Sequence, residues 1–168
     1  MKYPIVVFCL SLLFITSCNS EKKEIKKISL FNGIKVQLLD GENSQAAITD
    51  TIQSTFKKYT SNNTRISIPL FKYIEHTDYS LFIGIPVDAR IKDFSDSLYH
   101  HSNEILIEEK KESKTEYFRQ YQLDNTFISE MIIKEVGSTL LFLAVTKNKD
   151  ISNRIFNHKS FSSRVEKK

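Results

Sequence analysis

A chain of 168 residues, 40% hydrophobic and 26% charged, is long enough for one folded domain and too apolar for global disorder. Its net charge of +4 sits mostly at the ends: residues 19–27 and 164–168 carry +2 each, Lys2 adds one, and residues 28–163 hold 16 Lys/Arg against 17 Asp/Glu. A nearly neutral domain lacks the single-sign stripe that a phosphate backbone requires, so no nucleic-acid partner is expected.

The first 18 residues read MKYPIVVFCLSLLFITSC. Lys2 gives a positive start, and Ile5 to Ile15 form an eleven-residue apolar run broken only by Ser11. That layout is a secretory signal, since a permanent span needs about 20 apolar residues. The run closes on Ile15-Thr16-Ser17-Cys18, which resembles the lipobox of bacterial lipoproteins: aliphatic, small, small, cysteine. The resemblance implies cleavage between Ser17 and Cys18, diacylation of the Cys18 thiol, and acylation of the new amino terminus with palmitate-type chains. Three acyl chains anchor far beyond the marginal one-chain regime. The expected divisions are therefore a signal peptide over 1–17, a lipidated polar tether over 18–27, one domain over 28–163 and a basic tail over 164–168. Asn19 is not the Asp associated with inner-membrane retention, which favours the outer membrane of a bacterial envelope. Cys9 leaves with the signal and Cys18 is consumed by lipid, so no disulfide is expected.

Within the domain, Asn32-Gly33 between two apolar stretches predicts a hairpin over 28–39, closed by Asp40-Gly41. Ala47, Ile48, Ile52, Phe56 and Tyr59 fall at helical spacing and predict a helix over 43–59. The strand predicted over 64–75 puts Ile66, Ile68 and Leu70 on one face with Phe71 and Tyr73 on the other. Its Pro69 demands an edge or a bulge. A strand over 79–87 shares Leu81, Ile83 and Ile85, and Asp88 caps a predicted helix to His101. Four strands follow at 103–110, 115–123, 126–136 and 139–146, joined by a charged tip, Asp124-Asn125 and Gly137-Ser138. Such short joints predict an antiparallel meander. The last strand, TLLFLAVT, is apolar on both faces and should be central. Asn148 or Asp150 then caps a helix burying Ile151, Ile155 and Phe156. The fold class is α+β: an antiparallel sheet of about six to eight strands with helices packed on it.

FNGIKVQLLDG at 31–41 and TLLFLAVTKNKDISNRIFNHKSF at 139–161 resemble the opening and closing elements of PsbP-like domains. That family's opening element often carries a Pro and a Trp, whereas this chain has Leu39 there and no Trp. The resemblance implies a central antiparallel sheet flanked by helices and a non-catalytic accessory or assembly role.

Chemistry-bearing motifs are sparse. Asp96 and His100 lie one helical turn apart, with His101 and Glu104 nearby, but adjacent histidines on a helix point about 100° apart and do not converge on one metal. His76 and His158 are expected to be solvated. No mature free cysteine, GxSxG, SxxK or glycine-rich phosphate loop occurs, so no catalytic residue, metal or cofactor is assigned. Tyr117, Tyr121 and Leu123 share a strand face opposite Phe118, which reads as cross-strand packing before it reads as a glycan platform. The leading expectation is an envelope lipoprotein that binds a protein partner as an accessory, assembly or immunity-type module. Two alternatives stand beside it: an envelope hydrolase or metal enzyme using Asp96, His100 and His101, and a small-ligand or lipid carrier.

Overall fold

The computed structural model describes residues 25–30, 32–60, 68–86, 102–112, 115–135 and 138–167. Ten strands and three helices succeed one another among them: β1 (Lys27–Ser29), β2 (Lys35–Gln37), β3 (Asn43–Gln45), α1 (Asp50–Thr60), β4 (Leu70–Glu75), β5 (Tyr79–Gly84), β6 (Ile105–Lys111), β7 (Glu116–Leu123), β8 (Thr126–Glu135), β9 (Ser138–Thr146), α2 (Lys149–Ile155), α3 (His158–Ser162) and β10 (Val165–Glu166). They form two antiparallel sheets, one of three strands ordered β1-β2-β10 and one of seven ordered β3-β4-β5-β9-β8-β7-β6. The α+β class holds and the seven strands of the large sheet fall within the six to eight expected, whereas the separate three-stranded sheet was not expected.

The β1–β2 hairpin turns at Asn32 and Gly33, whose φ angles of 56° and 76° lie in the left-handed region these two residue types tolerate best. The meander β6-β7-β8-β9 follows the short joints, and Asp124, at φ 53°, makes the two-residue turn between β7 and β8. β9 lies in the middle of the large sheet, between β5 and β8. Its side chains alternate between two cores. Leu140, Phe142 and Ala144 join Leu81, Ile83, Phe118 and Met131 beneath α2, α3 and the small sheet, which contribute Ile151, Phe156, Phe161, Val36 and Val165. Leu141 and Leu143 join Tyr73, Phe82, Tyr121, Ile128 and Ile132 on the opposite face, beneath Phe56 and Tyr59 of α1. The order is therefore small sheet with α2 and α3, then large sheet, then α1.

Helix α2 is fixed to the sheet by one buried amide. The Gln120 Nε2 group lies 2.9 Å from Ser152 Oγ, 3.1 Å from Ser152 O and 3.1 Å from Ser129 Oγ. Asn148 caps the helix, its side chain accepting from the Asp150 and Ile151 amides.

Four expectations are corrected. Residues 43–45 are a strand paired with β4, and the helix begins at Asp50, where the Thr49 hydroxyl accepts from the Ile52 amide at 3.3 Å. A bulge between Leu70 and Lys72 shifts the alternation of β4 by one, so Leu70 and Tyr73 face the same core instead of opposite ones. The bulge itself was expected from Pro69, whose carbonyl accepts from the Ile85 amide at 2.9 Å. The closing helix is two helices, because Asn157 leaves helical geometry and caps α3 through the Ser160 amide. Finally, residues 164–168 are not simply a tail: Val165 pairs with Val36, and Arg164 is buried. The folded unit thus includes Lys27 at one end and Glu166 at the other. The helix expected over 88–101, and the segment 1–24, lie outside the described residues. Among the described residues no helix is long and apolar enough to cross a membrane.

Gly84 marks a close approach. A Cβ there would stand 2.7 Å from Ile68 Cγ2 and 2.7 Å from the Phe56 ring of α1. Gly84→Ala should lose about 1–3 kcal/mol by overpacking, read as a lower denaturant midpoint. An unchanged midpoint would show that α1 shifts freely over β5.

Candidate functional site

Among the described residues, three polar clusters and two cavities are places where chemistry could occur. The first cluster is buried on the α1 side of the large sheet. Arg119 of β7 stands opposite Glu130 of β8, and its Nη2 and Nε lie 3.0 and 3.3 Å from Glu130 Oε2. Its Nη1 donates to Glu104 at 3.1 Å, and the guanidinium lies 4.4 Å from the centre of the Tyr121 ring. The Tyr121 hydroxyl donates to Glu130 Oε1 at 2.9 Å, and the Tyr117 hydroxyl donates to Glu109. Burial pushes the Glu130 carboxyl up, against the opposing pull of the Arg119 guanidinium. Burial also pushes the Tyr117 and Tyr121 hydroxyls far up, so both stay protonated donors. Tyr117 and Tyr121 are buried, which makes them packing residues and not an exposed glycan platform.

The second cluster joins the chain's two ends. Arg164, just before β10, places Nη2 2.7 and 2.6 Å from the two oxygens of Glu42, just before β3. Glu42 also accepts from the Tyr79 hydroxyl at 2.7 Å and the Leu39 amide at 2.8 Å. Arg164 Nε and Nη2 reach the Gln37 carbonyl at 3.3 and 3.2 Å. His76, expected to be solvated, is half-buried: its ring stacks on Tyr79 with centroids 4.3 Å apart. Its Nδ1 accepts from the Asp78 amide at 3.1 Å.

The third cluster brings a serine, a histidine and two glutamates together. His158 is buried, correcting the expectation of an exposed helix end, and its ring meets Phe118 edge-on at 5.3 Å. Its Nε2 lies 3.4 Å from Ser162 Oγ and 3.3 Å from Glu116 Oε1, and its Nδ1 lies 3.5 Å from Glu112 Oε1. This falls short of a catalytic triad for a geometric reason. The Ser162 hydroxyl donates to Glu116 at 2.7 Å, so its proton points at a carboxylate and the imidazole cannot draw it off. Burial alone would raise the Glu116 carboxyl, but hydrogen bonds from Lys167 and Ser162 outweigh it and hold the group below its ordinary value.

The larger cavity, about 730 Å³, opens at the ends of β5, β8 and β9, between His76, Tyr59 and the Lys147–Lys149 segment. The smaller, about 480 Å³, lies between α1 and β3–β5 and is edged by Thr49, Thr51, Thr55 and Gln45. The hydroxyls, amides and charges of the larger suit a polar ligand better than the acyl chain a lipid carrier would hold, while Ala47, Ile52 and Phe82 give the smaller a mixed lining. On the outside, β6 and β3 are the outer strands of the large sheet among the described residues, and Ile105, Leu106 and Ile107 on β6 are 64%, 51% and 44% exposed.

The sequence candidates Asp96, His100 and His101 lie outside the described residues, as do Ser17 and Cys18. Glu104, named beside them, is drawn instead to Arg119. Among the described residues no group of three or more His, Cys, Asp or Glu is placed to hold a metal. Arg119 and Glu130 were missed as a pair although a signal existed. A two-residue turn at 124–125 fixes the register that sets them opposite each other.

No family model matches this chain, and no curated protein matches it. Its fold does match a solved structure. The solution structure of cyanobacterial PsbP from Synechocystis sp. PCC 6803 is similar with a TM-score of 0.53, over 92% of this chain and 99% of that one. The fold is PsbP-like. Sequence identity is 13%, so the likeness concerns the fold alone.

Two measurements test the clusters. Arg119→Met strands a buried carboxylate and should cost about 3–5 kcal/mol, part of which Arg119→Met with Glu130→Leu should recover. A loss below about 1 kcal/mol in the single variant would show that the pair is not buried as described. The second measurement concerns acid. Glu116 is depressed in the folded state, so the stability it adds is in place above its ordinary value of 4.5 and drains as pH falls through the folded value. Glu116→Gln should flatten that acid limb of the stability profile. An unaltered limb would assign it to other carboxyls.

Proposed function

We propose that this chain is a lipid-anchored bacterial envelope protein, held at the membrane through Cys18, that serves as a non-enzymatic accessory or assembly module by binding a protein partner. The observation that carries the binding role is strand β6. It is one of the two outer strands of the large sheet among the described residues, the other being β3, and three consecutive large apolar side chains on it face water. Exposed edges are normally blunted, because unpaired N–H and C=O groups template pairing with another chain. Here the charged half of the strand, Glu108 to Lys111, is blunted and the apolar half is not. An added strand would gain main-chain hydrogen bonds from this edge, with Ile105, Leu106 and Ile107 supplying side-chain contacts.

The polar clusters support the same reading through their bonds. Glu42, Arg119, Glu130 and Ser162 each spend their hydrogen-bonding capacity within the fold, holding strands and chain ends together. The lipobox Ile15-Thr16-Ser17-Cys18 supports the anchor, and Asn19 favours the outer membrane as its destination. The PsbP-like fold is compatible with an accessory role without specifying the partner.

Full-length protein, solubilised in detergent from its host, should co-purify with a stoichiometric partner. Leu106→Asp should lose that partner while its thermal midpoint stays within about 2 °C, since the side chain is exposed. Absence of any stoichiometric partner across several growth conditions, or its retention by Leu106→Asp, would contradict the role assigned to β6.

A further inference from the structure

We infer that the outward face of the β1–β2–β10 sheet is the surface of the anchored protein that lies against anionic lipid headgroups. The inference rests on the anchoring reading and adds an orientation to it. The sequence places the protein's basicity at two separate ends, and the structure brings those ends together. β1 and β10 flank β2 in one small sheet, with Ile28, Val36 and Val165 turned toward the core. The alternation of a strand turns Lys27, Lys35 and Glu166 the other way, and all three are exposed.

Charge then selects this face. Lys27 and Lys35 are exposed on it, and Lys26 and Lys167, in the alternate register, are exposed at its margins. Glu166 engages Lys27 at 2.6 Å and Glu116 engages Lys167 at 2.8 Å, while Lys26 and Lys35 have no ion pair among the described residues. That leaves the charge of Lys35 on the face and that of Lys26 at its edge, on a domain whose residues 28–163 sum to −1. Ile25, 56% exposed, sits where the chain enters the sheet and adds an apolar side chain for the interfacial region.

Reach holds the face within range. The chain is pinned from Lys26 onward, whose carbonyl accepts from the Leu38 amide at 2.8 Å. Eight residues from Cys18 to Lys26 span at most about 26–29 Å when fully extended, and less in any relaxed state. Surface potentials decay over about 8 Å at physiological ionic strength, so a short tether leading straight into the basic sheet favours contact. The β7–β8 turn gives a comparison position away from Lys167. Asn125 lies nine residues along from Glu116, about 30 Å at strand rise, and Glu116 is the residue that Lys167 grips.

On the anchoring reading the mature chain has no free cysteine, so single spin labels can be placed at will. Full-length acylated protein carrying Lys35→Cys, Ser29→Cys or Asn125→Cys would be reconstituted into phosphatidylglycerol–phosphatidylethanolamine vesicles containing a nickel-chelating lipid. Labels at 35 and 29 should be relaxed by the nickel lipid at least threefold more than the label at 125. Phosphatidylcholine vesicles, 0.5 M salt or an added Lys26→Glu should each reduce the difference about twofold or more. Equal relaxation at all positions, stronger relaxation at 125, or indifference to lipid charge and salt would overturn the inference while leaving the anchor intact. Protein that never enters the vesicle fraction would overturn the anchoring reading beneath it.

Discussion

The seven-stranded sheet is apolar on both faces, and most of the fold answers that constraint. β9 sends Phe142 and Leu140 one way and Leu141 and Leu143 the other, so neither face can be left to water. Burying four such side chains is favourable by roughly 1.5–3 kcal/mol each, and only covers on both faces realise it. One cover is α1, through Phe56 and Tyr59. The other is composite: α2 and α3 together with a small sheet made from the first and last strands of the domain. Because the second cover uses the first and last strands of the domain, the positions of Lys27 and Glu166 follow from the core.

Much of this was readable in the residues themselves. Asn32-Gly33 and Asp124-Asn125 announce turns, and the two-sided TLLFLAVT announces the centre of the sheet. What escaped reading has specific causes. Strand β3 is three polar residues, Asn43-Ser44-Gln45, whose only strand character is pairing with β4, a tertiary fact. The bulge at Phe71 was foreseen from Pro69, but its effect on alternation was not applied to Tyr73. Asn157 reads as a mid-helix residue until its side chain is seen capping α3.

The clusters divide in the same way. Arg119 opposite Glu130 follows from the register of a two-residue turn and was within reach of the sequence. Arg164 with Glu42 spans 122 positions, and nothing local in RVEKK or DGENS distinguishes a buried ion pair from two solvated charges. His158 resembled an exposed helix end because the helix it begins is five residues long and lies flat against Phe118. Arg119 and Glu130 are matched across neighbouring strands, and Glu42 and Arg164 across most of the domain. That makes these groups joints of the fold.

The account as a whole depends on where the protein is held, and the mass of the mature polypeptide from its host tests that most directly. The expected mass is that of a chain beginning at Cys18 plus a thioether-linked diacylglycerol and an amide-linked acyl group. A polypeptide that begins at Met1 and carries no fatty acid would contradict the account.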